Sequence, residues 1–203
     1  MSLPPTIFIV VLLCTCFTET SCENNKIGNK NNVVSKEQFL DQANNDLNNF
    51  KSNLSYKVYY TQTDSINHEL KIQILSFINE HYIANSRNKL IYSEALFDYF
   101  INNALIIVAF KDNMIIGVIC GKLQNLIYKN DNPIAIPEID FLCLHKKLRN
   151  IYLAPFLISA ITKEVIESFD ISCAYYTIAN PINAKSFTTK KMYHRCININ
   201  NLI

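Results

Sequence analysis

Glu138-Ile139-Asp140-Phe141-Leu142-Cys143-Leu144-His145-Lys146-Lys147-Leu148-Arg149-Asn150-Ile151-Tyr152-Leu153-Ala154-Pro155 decides the fold. Its first half belongs to a strand from Ile136 to Leu144, dense in apolar side chains and of strand length. Lys146, Lys147 and Arg149 follow, a cationic stretch that by itself reads as a solvated turn. A helix then opens at Leu153 and runs to Phe169, with Pro155 in its first turn, where a missing N–H costs no hydrogen bond. Ala154, Leu157, Ile158, Ile161 and Val165 recur at helical spacing and supply its core face. Strand, turn and helix in this order form one half of an α/β unit.

On the C-terminal side, Ala174 to Ala179 is a further strand. On the N-terminal side, Leu105–Phe110 and Met114–Leu123 are rich in Ile and Val and are separated by Lys111-Asp112-Asn113, which predicts an antiparallel hairpin. Ser93 caps a helix that has Ala95, Leu96, Tyr99 and Phe100 to bury. Ser65 opens a longer one through Tyr82, with Leu70, Ile74, Phe77, Ile78 and His81 along one stripe. Asn85 to Asn88 is a loop, and Tyr56–Tyr60 is the first strand. Residues 23–55 form an Asn-rich linker with a short helix, where Ser35 and Gln38 make a capping box and Phe39, Ala43, Leu47 and Phe50 share a face. The order β-α-α-β-β-β-α-β predicts a central mixed sheet flanked by helices.

Length and composition bound the function. With 203 residues and 49% apolar content, the chain builds one full core. Glycine occurs only at 28, 117 and 121, so neither a dinucleotide-binding nor a P-loop glycine pattern is possible. A net charge of +2 points to no nucleic-acid partner. Ile7–Phe17 is an apolar run too short to cross a bilayer, and a polar, small-residue exit follows it. That pattern predicts a signal peptide over residues 1–22 and secretion; without cleavage the protein is cytoplasmic. Cys120, Cys143 and Cys173 lie in strand-like runs, and no His/Cys cluster has metal-ligand spacing, so no metal is expected. Asn53-Leu54-Ser55 is a glycosylation sequon, relevant to a secreted chain.

Glu138-Ile139-Asp140-Phe141-Leu142-Cys143-Leu144-His145-Lys146 resembles the N-myristoyltransferase signature E-[IV]-N-F-L-C-x-H-K at eight of nine positions. The likeness continues through Lys147-Leu148-Arg149 and Leu153-Ala154-Pro155, and returns at Tyr176-Thr177 and Tyr193-His194-Arg195. Upstream, Asn79-Glu80-His81-Tyr82-Ile83 and Ile116-Gly117-Val118-Ile119 are similar to family segments. It covers residues 56–203, the N-terminal half of the family's architecture. The resemblance implies a GNAT-like acyl-CoA N-acyltransferase fold of the α/β class, with a mixed, mostly antiparallel sheet flanked by helices. It implies acyl transfer from myristoyl-CoA, a co-substrate rather than a permanent cofactor, to a glycine-starting peptide. The main-chain amides of Phe141 and Leu142 are then an oxyanion hole. Leu142, Cys143 and Leu144 line the acyl-CoA path. Arg149, Asn150, Tyr152, Leu153 and Ala154 form the turn and helix start that face the CoA pyrophosphate.

The sequence also departs from the family. Where the family reads R-S-K-R-[VL]-A-P, this chain has Arg149-Asn150-Ile151-Tyr152-Leu153-Ala154-Pro155, which weakens charge-assisted phosphate contacts. The family's strand Asn is Asp140, while its partner Thr is kept as Thr177. Asp140 is either a base or an unhelpful negative charge beside a developing oxyanion. Ala84-Asn85-Ser86-Arg87 replaces an acidic loop of the peptide groove. The family's second half carries its K-F-G-x-G-D-G signature and, at its C-terminus, the carboxylate base; no glycine follows Gly121, and the role does not pass to Ile203. The face that meets that second half is then open to a homodimer. The alternative expectation is a catalytically inactive secreted module that binds acyl-CoA, lipid or protein. His145 is expected to serve structure through hydrogen bonding.

Overall fold

The hairpin expected around Asp112 lies within a sheet of six strands in the computed structural model, which describes residues 9–14, 35–49, 54–62, 66–82, 91–127, 133–149, 153–171 and 173–178. The strands are β1 (Ile9–Cys14), β2 (Leu54–Tyr60), β3 (Ala104–Lys111), β4 (Met114–Leu126), β5 (Ile134–Leu144) and β6 (Cys173–Ile178). Their spatial order is β1-β6-β5-β4-β3-β2, antiparallel throughout except for the parallel pair β5–β6. The helices are α1 (Lys36–Asn49), α2 (His68–His81), α3 (Glu94–Ile101) and α4 (Leu153–Phe169). This is the GNAT-like α/β arrangement, with a mixed, mostly antiparallel sheet flanked by helices.

The turn between β3 and β4 has φ of 51° at Asp112 and 63° at Asn113. Lys111 pairs with Met114 across it. Two central residues with positive φ match the right-handed strand twist, and Asp and Asn tolerate that region better than other side-chain-bearing residues. Beyond the turn, β3 is buried on both faces. Ile106 and Val108 point to α2 and α3; Leu105, Ile107 and Ala109 point to α4. A strand covered on both sides reads as a continuous apolar run, as this one does.

Helix ends follow capping chemistry. The Ser35 hydroxyl accepts from the Gln38 amide at 3.3 Å while the Gln38 side chain accepts from the Ser35 amide at 2.7 Å, the expected capping box. Ser93 caps α3. The α2 helix starts later than expected, at His68: Asn67 is its cap and accepts from the Leu70 amide at 2.7 Å. Ser65, Asn85–Asn88, Phe50 and Ala179 lie outside the described residues.

Two buried faces differ from expectation. On α3, Phe97 and Ile101 are buried, while Leu96 and Tyr99 are exposed at 42% and 67%. Glu94 and Asp98 mark only one polar edge of this eight-residue helix and leave its other six positions apolar, and docking onto β3 and β4 selected the Phe97–Ile101 stripe. On α4, Leu157, Ile161 and Val165 are buried as expected, but Ile158 is 44% exposed. Leu153, Phe156, Ala160 and Ile166 complete the face instead. Above α4 lies α1, joined to it by a Ser159 hydroxyl–Asp46 carboxylate bond of 3.1 Å and by the Lys36–Asp170 ion pair. Ile9–Cys14, read from sequence as the core of a leader, is the outermost strand by backbone pairing, from Ile9 opposite Ile178 to Cys14 opposite Cys173.

The two glycines of β4 set how closely α4 approaches the sheet. A Cβ on Gly117 would stand 2.8 Å from Leu157 Cδ1, and one on Gly121 would stand 3.1 Å from Ile161 Cδ1. Leu157 and Ile161 are one helical turn apart, so both glycines serve the same contact. Gly117→Val is expected to lower unfolding free energy by about 1–3 kcal/mol through overpacking. Urea denaturation checks this, and adding Leu157→Ala should give a double mutant less destabilised than the sum of the single changes.

Candidate functional site

β5 runs against β4 in regular register from Ile134 opposite Leu126 to Asp140 opposite Cys120, and pairing resumes at Cys143 opposite Val118. Between these points Phe141 and Leu142 stand against the single residue Ile119. That is a β-bulge, which takes its extra residue out of the ladder. Phe141 has φ of 49°, a left-handed conformation that a bulky residue keeps only where its surroundings hold it. On its other side β5 bonds β6 only at Glu138–Tyr175 and Ile139–Tyr176. Past Ile139 the two parallel strands part, so the bulge sits where the sheet opens.

An aromatic cage holds Phe141. Its ring lies 5.7 Å from Tyr82, 5.2 Å from Tyr92, 5.9 Å from Phe97 and 5.5 Å from Phe100, mostly edge to face. Such pairs contribute about 0.5–1.5 kcal/mol each beyond area burial, enough together to offset a strained φ. The bulge also changes which face each side chain meets. Ile139 packs on the α4 side, and Phe141 and Cys143 on the α2–α3 side. Without the extra residue, strict alternation would put all three on one face.

Where the strands part there is a mostly apolar cavity of about 300 Å³. Asp140, Phe141 and Leu142 line it from β5. Tyr82 reaches it from the end of α2, and Ile158, Ile161, Thr162, Val165 and Ile166 from α4; Phe39 of α1, Ile119 of β4, Ile139 of β5, Ile171, and Cys173, Ala174 and Tyr176 of β6 complete the wall. Asp140 is its charged member. Burial raises the Asp140 carboxyl above the usual range, and the charge of Glu138 adds to this; the Phe141 main-chain N–H and Lys122 act the other way. Burial also pushes the Cys143 thiol up to about 12, so it offers no thiolate at neutral pH.

The structure thus brings Asp140, Phe141 and Leu142 together at one cavity. Cys143 is turned into the α2–α3 core, and Leu144 packs toward α4. Leu153, the first residue of α4, is fully buried, and Ala154 follows it in that helix's first turn. Thr177 lies on β6 at the residue after Tyr176. The Arg149 guanidinium donates to the His81 carbonyl at 2.6 Å, tying the basic turn to the C-terminal end of α2. Asn150, Tyr152 and His194 lie outside the described residues. Tyr82, Tyr92, Phe97, Phe100 and Phe39 were not picked out as site residues from sequence. The available signal was aromatic density between residues 77 and 100, which spacing alone assigns equally well to any core.

His145 has the structural role expected of it. Its Nδ1 accepts from the Lys147 amide at 3.3 Å and caps the short 3-10 turn Lys146–Leu148. Its ring lies 4.5 Å from that of His81, which packs in turn on Phe77 at 4.7 Å. His81 is buried, and its Nδ1 has no hydrogen-bond partner among the described residues. Burial lowers its pKa; among its charged neighbours Glu80 raises it, and His145, Lys146 and Arg149 lower it.

The family model for the N-terminal domain of myristoyl-CoA:protein N-myristoyltransferase matches residues 39–189. The chain belongs to this family. A glycylpeptide N-tetradecanoyltransferase of Plasmodium falciparum is 44% identical over 75 residues, covering 36% of this chain and 18% of that protein. One from Dictyostelium discoideum is 37% identical over 93 residues, covering 46% and 22%. The crystal structure of Saccharomyces cerevisiae N-myristoyltransferase with bound myristoyl-CoA superimposes with a TM-score of 0.57 at 23% identity, over 66% of this chain and 33% of that one. At that identity the superposition speaks for the fold. The matched stretches span a third or less of these N-myristoyltransferase relatives.

Two outcomes test this account of the site. Phe141→Ala is expected to cost about 3–5 kcal/mol, because it empties the aromatic cage. Leu142→Ala, at a 37% exposed position, is expected to cost less than about 1 kcal/mol in urea titrations. His81 binds its proton less readily folded than unfolded, so its contribution to stability is complete above the unfolded pKa of about 6.5 and declines as pH falls through it toward the lower folded value. In His81→Phe, the urea midpoint should therefore depend less on pH on the acid side of neutrality than in the parent protein.

Proposed function

We propose that this N-myristoyltransferase-like domain binds a long-chain acyl-CoA where β5 and β6 part, and transfers the acyl group to the N-terminal glycine of a peptide. One observation carries this reading: the Phe141–Leu142 bulge opens onto an apolar cavity at the point where the sheet separates. A thioester carbonyl at the bulge would meet the main-chain amides of Phe141 and Leu142. Such donors act on the charge that develops on oxygen in the transition state, and losing one typically costs about 2.7–4 kcal/mol. The acyl chain would lie along Ile158, Ile161 and Val165. Leu153 and Ala154 begin the helix whose free N–H groups suit the CoA phosphates, with Arg149 beside them. Yeast N-myristoyltransferase holds myristoyl-CoA on the same fold, and supports the choice of ligand.

A second reading, capture of acyl-CoA or lipid without transfer, is favoured by Asp140 at the family's Asn position and by the reduced charge from Asn150 to Tyr152. It goes together with a leader over residues 1–22 and secretion. N-terminal sequencing of the protein from its host separates the two: a start near Glu23 supports the secreted binder, and a retained Met1 the cytoplasmic enzyme.

Calorimetry with acyl-CoAs of increasing chain length should give affinity that rises by up to about 0.8 kcal/mol per added methylene until the cavity is filled. Affinity independent of chain length would sink the proposal for the cavity. Mixing the protein in excess over labelled myristoyl-CoA with a glycine-starting peptide then decides between transfer and capture.

A further inference from the structure

The charge of Asp140 has no cationic counterpart among the described residues. Its carboxylate is half-buried on the wall of an apolar cavity, a setting in which an anion is costly unless a cation answers it. Among the described residues no Lys, Arg or His lies within ion-pair distance of it. Lys122, the cation that acts on it, is engaged elsewhere: its Nζ donates to the Tyr99 carbonyl at 3.2 Å and sits 4.6 Å over the Tyr99 ring. Among the described residues, the other titratable groups that act with Asp140 are all neutral or anionic. They are Glu138 on β5, Cys120 on β4, Tyr82 at the end of α2, Tyr92 before α3 and Tyr175 on β6. Glu138 is itself taken up by Gln124 at 3.2 Å and by Tyr175.

We propose that Asp140 receives the ammonium group of the acceptor and takes its proton, beside the bulge amides that face the acyl carbonyl. This rests on the acyl-CoA reading above and names what the cavity accepts as its second substrate: a primary amine in its charged form. The steps balance within the two substrates. The ammonium gives one proton to the Asp140 carboxylate, and the freed amine attacks the thioester carbonyl carbon, forming the C–N bond. The oxyanion is met by the Phe141 and Leu142 amides. Collapse breaks the C–S bond; the CoA thiolate leaves and takes the second proton from nitrogen, and Asp140 returns its own to solvent. Proton uptake also removes the negative charge beside the oxyanion and frees the Phe141 N–H that acts on the ionised carboxylate, so one proton transfer both activates the amine and opens the hole.

Asp140→Asn keeps the shape of the side chain and removes its charge. Three measurements are made on the parent chain and this variant, after thermal melts establish that both are folded. Calorimetry with myristoyl-CoA should give similar affinities. With the protein saturated by a non-reactive thioether analogue of myristoyl-CoA, a glycine-starting peptide should bind the parent at least about tenfold more tightly than its N-acetylated form, and the variant should lose that preference. Single-turnover transfer should slow by about a hundredfold or more, with loss of the acid limb of the rate profile, where the parent's rate falls as Asp140 is protonated. A variant that transfers as fast as the parent or faster, or that keeps the ammonium preference, overturns the proposal while the acyl-CoA reading stands. Absence of myristoyl-CoA binding in both proteins overturns that reading and this one with it.

Discussion

The packing of the Phe141 ring among Tyr82, Tyr92, Phe97 and Phe100 is the contact on which the arrangement of the site depends. It keeps a bulky residue at positive φ. The extra residue accommodated there turns Cys143 into the α2–α3 core and leaves Leu144 to pack toward α4. The same residue interrupts the ladder to β4 next to the point where β6 departs. Strand parity, cavity position and amide direction therefore follow from one side chain and its cage. The cage comes from α2, α3 and the residues around them, so these helices do more for the site than cover a sheet face.

The other face is governed by closeness of approach. Gly117 and Gly121 let Leu157 and Ile161 settle onto β4, which brings the exposed flank of α4, including Ile158 and Thr162, to the cavity wall. An added Cβ would lift the helix and widen the space between it and the bulge. α1 closes this side: Phe39 reaches the cavity, and Asp46 is tied to Ser159. Apolar surface thus surrounds a single carboxylate, and the cost of holding that charge there is what makes Asp140 informative about a ligand.

Much of the fold was legible in the sequence because it rests on local rules. The span of α4, the hairpin at Asp112-Asn113, the capping box at Ser35 and the cap at Ser93 depend on periodicity and on side chains reaching amides within one turn. The buried face of α3 was not legible, since Leu96 and Tyr99 suit a core as well as Phe97 and Ile101 do. Only contact with β3, β4 and Phe141 separates them. Ile158 shows the same ambiguity on α4, where the cavity keeps an apolar residue partly exposed.

The sequence by itself determined the family, through Glu138–Lys146, and with it the amide pair of Phe141 and Leu142 and the presence of a carboxylate at Asp140. Those are properties of residue identity in a fixed order. Tertiary structure decided what the residues face. The bulge became visible only in the register of β5 against β4, the cavity only in the parting of β5 from β6, and the isolation of Asp140 only in the diversion of Lys122 to Tyr99. Each of these depends on groups far apart in the chain meeting at fixed distances, and no local pattern of residues encodes such distances.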